Sequence, residues 1–187
     1  MASAFTHAYA ALTLSSGFPA RQLPRRWLLL GVVCAMVPDV DVIGFQFGIP
    51  YGDLLGHRGI THWLAFAAVL SILVAACVPS QNLQRTNRRI LALFLFVVTA
   101  SHGLLDAMTN GGLGVAFFAP FSAARYFLPF RPIEASPISI AAFFTHRGVK
   151  VLESEVLWIW LLFLGLATVM YFWRGRCRAS YARKAVW

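Results

Sequence analysis

The stretch WLLLGVVCAMVPDVDVIGFQFGI, residues 27–49, decides the fold class. It is long and apolar enough to enter a bilayer, whose hydrocarbon core of about 30 Å needs about 20 helical residues. Pro38 interrupts it, because proline removes a helical hydrogen bond and kinks or breaks the helix. Asp39 and Asp41 follow at once, and a charge in the hydrocarbon costs about 3 kcal/mol on insertion scales. Irregular backbone at that depth is tolerated only inside protein or lining a wet cavity. The stretch therefore predicts a half-span over 27–37 and an acidic Pro38-Asp39-Val40-Asp41 element where the helix breaks, at a site.

The rest of the chain agrees with a membrane setting. Its 187 residues suit one domain, 1–187, with a hydrophobic fraction of 59% and only 12% charged residues. The mean hydropathy of +0.68 exceeds what a soluble domain of this size carries. A net charge of +9 would suggest nucleic acid in a soluble protein. Here the basic residues fall in short clusters between apolar runs, which excludes that partner and points to membrane orientation. Cys34, Cys77 and Cys177 have no redox or metal spacing, and Cys34 and Cys77 read as packing residues. Residues 1–20 lack the basic region of a cleavable signal, so His7 is expected to stay with the protein.

Apolar segments at 4–18, 27–48, 63–78, 90–108 and 156–173 predict an all-α polytopic bundle of four to five spans with a broken second helix. The segment at 4–18, at about 22 Å, is short for a span. Residues 109–155 read as outer loops and short interfacial helices, and 174–187 as a basic tail. Basic clusters at Arg21, Arg25 and Arg26, at Arg85, Arg88 and Arg89, and at Arg174, Arg176, Arg178, Arg183 and Lys184 all fall on one side of such a bundle. Positive-inside bias makes that side cytoplasmic, with the N-terminus out and the C-terminus in.

This orientation uses none of the polar residues, yet it gathers them. His7, Asp39, Asp41, His57, His62, His102 and Asp106 all fall in the outer half or the outer loops. His102 and Asp106 are four apart and share a helix face. His57 and His62 flank Gly59 in a loop. Asp39 and Asp41 would divide the roles of ligand and base. Imidazole with carboxylate suits zinc, or manganese, better than a thiolate-preferring ion, and seven such groups would accommodate one or two ions, with Asp106 as the bridge. Such sites activate water and stabilise charge on a phosphoryl or acyl oxygen. Arg58, whose fork matches phosphate or carboxylate, is the expected anion binder. His146 reads as ordinary surface, and Glu134, Glu153 and Glu155 have no spacing that assigns them.

The early His7, the Pro38-Asp39-Val40-Asp41 element, His57-Arg58-Gly59-Ile60-Thr61-His62 and Ser101-His102-x-x-x-Asp106 together resemble the YdjM-like family of bacterial inner-membrane proteins. The resemblance runs in motif order over nearly the whole chain. It implies a metal-dependent hydrolase of the inner membrane, of a kind also described as LexA-binding, without naming a substrate. The order His, Asp, His, His-x-x-x-Asp is also similar to zinc-dependent phospholipase C and the S1-type nucleases. That likeness implies His7, Asp39 or Asp41, His57 or His62, His102 and Asp106 as ligands.

The expected function is a membrane metallohydrolase, with a membrane lipid or other anionic, phospholipid-like phosphoester as substrate and with Asp39, Asp41 and Arg58 in catalytic roles. Two other readings use the same sequence: a metal-ion transporter with a midplane site, and a non-catalytic scaffold whose basic tail holds a soluble regulator. The transporter would need further polar residues towards the cytoplasmic half, and residues 63–100 supply none beyond the linker arginines.

Overall fold

A computed structural model describes residues 1–83 and 86–184, with side chains through Trp173. Arg85 lies outside the described residues, as do the side chains of the basic tail from Arg174 onward. The architecture is helical. Among the described residues the only β pairing is two isolated bridges, Thr109 with Ile133 and Val115 with Tyr126.

Helix α1 spans Ala4–Leu14. Helix α2, Arg25–Met36, runs on directly into a 3-10 helix, Val37–Phe47. A short 3-10 turn at Ile60–His62 leads into α3, Leu64–Cys77. The single turn α4, Ser80–Leu83, precedes α5, Arg88–Ala107. After a long loop come the turn α6, Ile140–Phe143, and then α7, His146–Glu155. A π-helical turn at Val156–Trp160 joins α7 to α8, Leu161–Lys184.

Helix α5 is the axis, packed against α2 and α3, with α1 laid on α2. Its Leu91, Phe94, Leu95 and Val98 are fully buried and meet Trp27, Cys34 and Ala35 of α2. The two helices can approach because Gly31 has no side chain. A Cβ there would lie 2.5 Å from the Phe94 ring. One end of the bundle is basic and tied by polar contacts: Trp27 Nε1 donates to Thr86 Oγ1 at 2.8 Å, Arg26 reaches the Asn82 carbonyl, and Arg88 reaches the carbonyls of Ala75 and Ala76. The candidate polar residues occupy the opposite end.

Three apolar helical stretches are long enough to cross a membrane: Arg25–Phe47, Arg88–Ala107 and His146–Trp173. The last is almost wholly unburied, with Leu157, Leu161, Leu164, Leu166 and Val169 all exposed. A helix apolar all round and uncovered by protein is a lipid-facing helix.

The second span changes character at Pro38 as expected: the α-helix ends at Met36 and the chain continues as a 3-10 helix. Pro38 has no N–H to give the preceding turn, and the carbonyls of Cys34 and Ala35 meet Thr99 Oγ1 and His102 Nδ1 instead. The segment expected at 63–78 is a helix of 14 residues, about 21 Å, and α1 has only 11. Both are shorter than a hydrocarbon core of about 30 Å. Residues 109–155 hold a long loop and the short helices α6 and α7, the latter polar, before the exposed apolar run from Val156. Cys34 is buried as expected, whereas Cys77 is exposed.

Candidate metal centre

The site is built where the site end of α5 meets the 3-10 half of the second helix and the turn at Ile60–His62. His102 and Asp106 lie one helical turn apart on the buried face of α5. A 3-10 helix has three residues per turn, so Asp39 and Asp41 point about 120° apart. Asp39 turns to α5, and Asp41 turns to the 57–62 loop. His62 is brought against α5 because Gly103 lets the backbone in. A Cβ on Gly103 would lie 2.9 Å from the His62 carbonyl oxygen.

Asp39, His62, His102 and Asp106 each offer one ligand atom to a common point. His102 Nε2 lies 3.1 Å from His62 Nε2 and 3.3 Å from Asp39 Oδ1. His62 Nε2 lies 3.8 Å from Asp39 Oδ1 and 3.5 Å from Asp106 Oδ2. Donors bound at about 2.0–2.1 Å to a tetrahedral zinc are separated by about 3.3 Å, so the spacing fits.

The tautomers reinforce the fit. His102 Nδ1 lies 2.7 Å from the Ala35 carbonyl, which only accepts, so Nδ1 carries the proton and a neutral ring turns a lone pair inward at Nε2. His62 Nδ1 sits 3.2 Å from Asp41 Oδ2 and 3.1 Å from Thr61 Oγ1, which orients its Nε2 the same way. Two imidazole lone pairs and two carboxylate oxygens facing one another repel unless a positive charge lies between them. Without an ion, His62, in the loop outside the spans, can carry that charge as a proton. Burial alone pushes its pKa down, but hydrogen bonding to Asp106 and Asp41 raises it to about 9. A proton there supplies the charge that an ion would supply.

Asp41 supports this group. Its Oδ1 accepts from His57 Nδ1 at 2.7 Å, and its Oδ2 from Thr61 Oγ1 at 2.6 Å and the Arg58 amide at 3.1 Å. With His57 and His62 it forms a second group of potential ligand atoms. Its oxygens are nevertheless occupied by donors, whereas Asp39 Oδ1 is buried without a hydrogen bond.

His57 Nε2 is likewise buried without a partner. So are both ring nitrogens of His7, whose ring stacks on His102 at 3.7 Å between centroids. His7 Nε2 is 3.5 Å from Asp106 Oδ1, within ion-pair reach but without hydrogen-bond geometry. Asp106 therefore presents Oδ1 to His7 and Oδ2 to His62. Buried polar atoms without partners are rare enough to require an explanation, and here they belong to His7, Asp39 and His57.

Arg58 is placed differently from expectation. It is fully buried, and its guanidinium donates to Asp106 Oδ2 at 3.0 Å, Thr109 Oγ1 at 2.8 Å and the Gly111 carbonyl at 3.0 Å. Its backbone has φ 61°, a left-handed conformation uncommon outside glycine. These bonds make it a strut that balances Asp106 and ties the loop to α5, with no exposed face for an anion. His146 is exposed, as expected.

Chain comparison agrees with the motif order. The model of the YdjM inner membrane protein family matches residues 1–177. The chain belongs to that family. Escherichia coli K12 inner membrane protein YbcI is 39% identical over 180 residues, covering 94% of this chain and all of YbcI. No solved structure matches the chain.

Other residues on which this family member's site depends had no signal in the sequence. Arg125, distant in the chain, donates to the carbonyls of His57, Tyr51 and Asp53 and clamps the 50–58 loop. Burial lowers its pKa and raises that of Tyr51. Glu155, fully buried, accepts from the Ser3 amide and hydroxyl at 2.5 Å each and so docks the start of α1 on the last helix. The Ala2 amide donates to Asp106 Oδ1 at 2.6 Å, which fixes that carboxylate from the other side. Only the carboxylate of Glu155 in an apolar run could have flagged any of these, and its partner is 152 residues away.

Proposed function

We infer that this protein is a membrane-embedded, metal-dependent hydrolase, zinc-loaded or with manganese in its place, that cleaves a phosphoester at the outer face of the inner membrane. The observation that carries the reading is the inward-facing lone-pair set of His62, His102, Asp39 and Asp106, with tautomers fixed by Ala35 and Asp41. One ion at these four ligands accounts for it, and His7 is the nearest further donor.

An ion that kept a position for water, by leaving one of these four groups uncoordinated or by adding a fifth ligand, would supply Lewis acidity and a water nucleophilic at neutral pH. The chain supplies the rest. Asp41 holds His57 and His62 in register, and outer partners of this kind tune ligand basicity. Arg58 offsets the charge of Asp106. Proton transfer falls to His57 Nε2, which is buried, without a partner and at the wall of a cavity, whereas the oxygens of Asp41 are already occupied. Thus Asp39 takes the ligand role and Asp41 the orienting role between the two carboxylates.

Transport fits less well. Below the site, towards the basic end, the core is closed by Leu91, Phe94, Leu95 and Val98 with Trp27. The outward orientation rests on the basic residues at the opposite end of the bundle.

Elemental analysis of detergent-purified protein tests the reading, with wild type beside His102→Ala and Asp106→Ala. Wild type should retain close to one equivalent of zinc or manganese, and both variants should lose it. Metal-free wild type that gains no thermal stability from added zinc or manganese would end the proposal. Screening the loaded protein against phosphomonoesters, phosphodiesters and carboxylic esters then tests the reaction class.

A further inference from the structure

Two cavities adjoin beside the metal centre, and they differ in character. The larger, of about 370 Å³, is lined by Tyr51, His57, Gly111, Gly112, Ser139 and Arg147. That volume falls within the roughly 300–1,000 Å³ of small-molecule sites. His57 links it to the site, through Asp41 at 2.7 Å. The smaller, of about 210 Å³, is lined by Ala4, Phe5, Ile140, Phe143 and Phe144. Met1, Ser136, Pro137 and Ile138 line both, so the two share a wall.

The lining chemistry separates along this wall. Arg147 is exposed, and its guanidinium makes no hydrogen bond or ion pair among the described residues. A cation without a carboxylate partner at a cavity wall is open to an anion, and a guanidinium suits phosphate oxygens. At the other end Phe144, Ile140 and Phe5 are 80%, 77% and 56% exposed, although each is large and apolar. Apolar side chains left open beside a charged pocket need a cover that is apolar where they are and anionic where Arg147 is.

We propose that the adjoining cavities bind one membrane amphiphile, with its phosphate headgroup at Arg147 beside His57 and its hydrocarbon chain across Phe5, Ile140, Phe143 and Phe144. Arg147 then takes the anion-binding role for which Arg58 has no exposed donor. The headgroup lies next to the metal centre while the chain stays in an apolar groove. The proposal deepens the hydrolase reading by naming a substrate class, and it rests on that reading only for the chemical step after binding.

The test is equilibrium binding to full-length, metal-free protein in detergent micelles, so turnover does not enter. The probes are dodecyl phosphate, inorganic phosphate and uncharged dodecanol, against wild type, Arg147→Gln and Phe144→Ser. Both altered side chains are exposed, so the fold does not depend on them. Dodecyl phosphate should bind at least tenfold more tightly than either other probe. Arg147→Gln should weaken it by roughly tenfold, as for loss of a charged hydrogen bond. Phe144→Ser should weaken dodecyl phosphate and leave inorganic phosphate unchanged. Equal affinity for dodecyl phosphate and inorganic phosphate would reduce the site to a phosphate pocket and overturn the proposal. So would equal affinity for dodecanol, or wild-type binding in both variants. Binding without hydrolysis by the metal-loaded protein would count against the hydrolase reading alone.

Discussion

Asp39 and Asp41 stand two residues apart, yet they have different surroundings and should fail differently. Asp39 Oδ1 is a buried atom without a hydrogen bond, facing His102 Nε2 at 3.3 Å. Asp39→Asn should therefore abolish metal retention in elemental analysis. Asp41 is saturated with donors, and Asp41→Asn should keep the stoichiometry while weakening affinity about 10- to 100-fold, as for loss of an outer-shell partner. Competition with a chelator of known affinity reads that difference. Arg58 belongs at the same scale. Removing one member of a buried pair costs about 3–5 kcal/mol, so Arg58→Ala should lower the melting temperature sharply in detergent. The residues of the site were legible because an ionisable group in an apolar run announces itself. Their division of labour was not, because it depends on which oxygen meets which donor across the fold.

At the scale of elements, the site exists because helices come unusually close. Gly103 admits the His62 backbone to α5, and a methyl group there would sit 2.9 Å from its carbonyl oxygen. Overpacking of this kind costs about 1–3 kcal/mol. Gly103→Ala should thus displace His62 and weaken metal binding while the helical circular dichroism stays near wild type. The second helix teaches a related lesson. Proline at 38 suggested a broken span, because a proline within a helix removes a bond. The α-helix does end at Met36, the chain goes on in 3-10 geometry, and the Ala35 carbonyl that Pro38 cannot serve faces His102. The period of three sends Asp39 and Asp41 to neighbouring walls, which an α-helix would not do in the same way. The segment 63–78 was legible almost to the residue, since its helix covers Leu64–Cys77, whereas its contacts with α5 were not.

The whole molecule is a bundle with a basic end and an end rich in buried His and Asp, and that asymmetry carries two expectations. A ligand bound only by the folded state stabilises it by about 2.7 kcal/mol at a hundredfold excess over its dissociation constant. Chelator treatment should accordingly lower the melting temperature in detergent, and zinc or manganese should restore it. Reporter fusions after residues 55 and 84 should report opposite sides of the membrane, with 84 cytoplasmic, and a fusion after 180 should match 84. The sequence alone determined the membrane class, the helical architecture, the family and the set of ionisable residues. The class, the architecture and the residue set follow from composition, spacing and the cost of charge in hydrocarbon, which are properties of the chain read locally, and the family follows from the likeness of its motifs. The tertiary structure alone decided that Asp39 faces the ligand set while Asp41 orients it, that Arg58 is a strut, and that Arg125 and Glu155 hold the site together. Those outcomes depend on contacts between residues up to 152 positions apart. Local periodicity carries no information about such contacts, because packing sets them only once the helices have met.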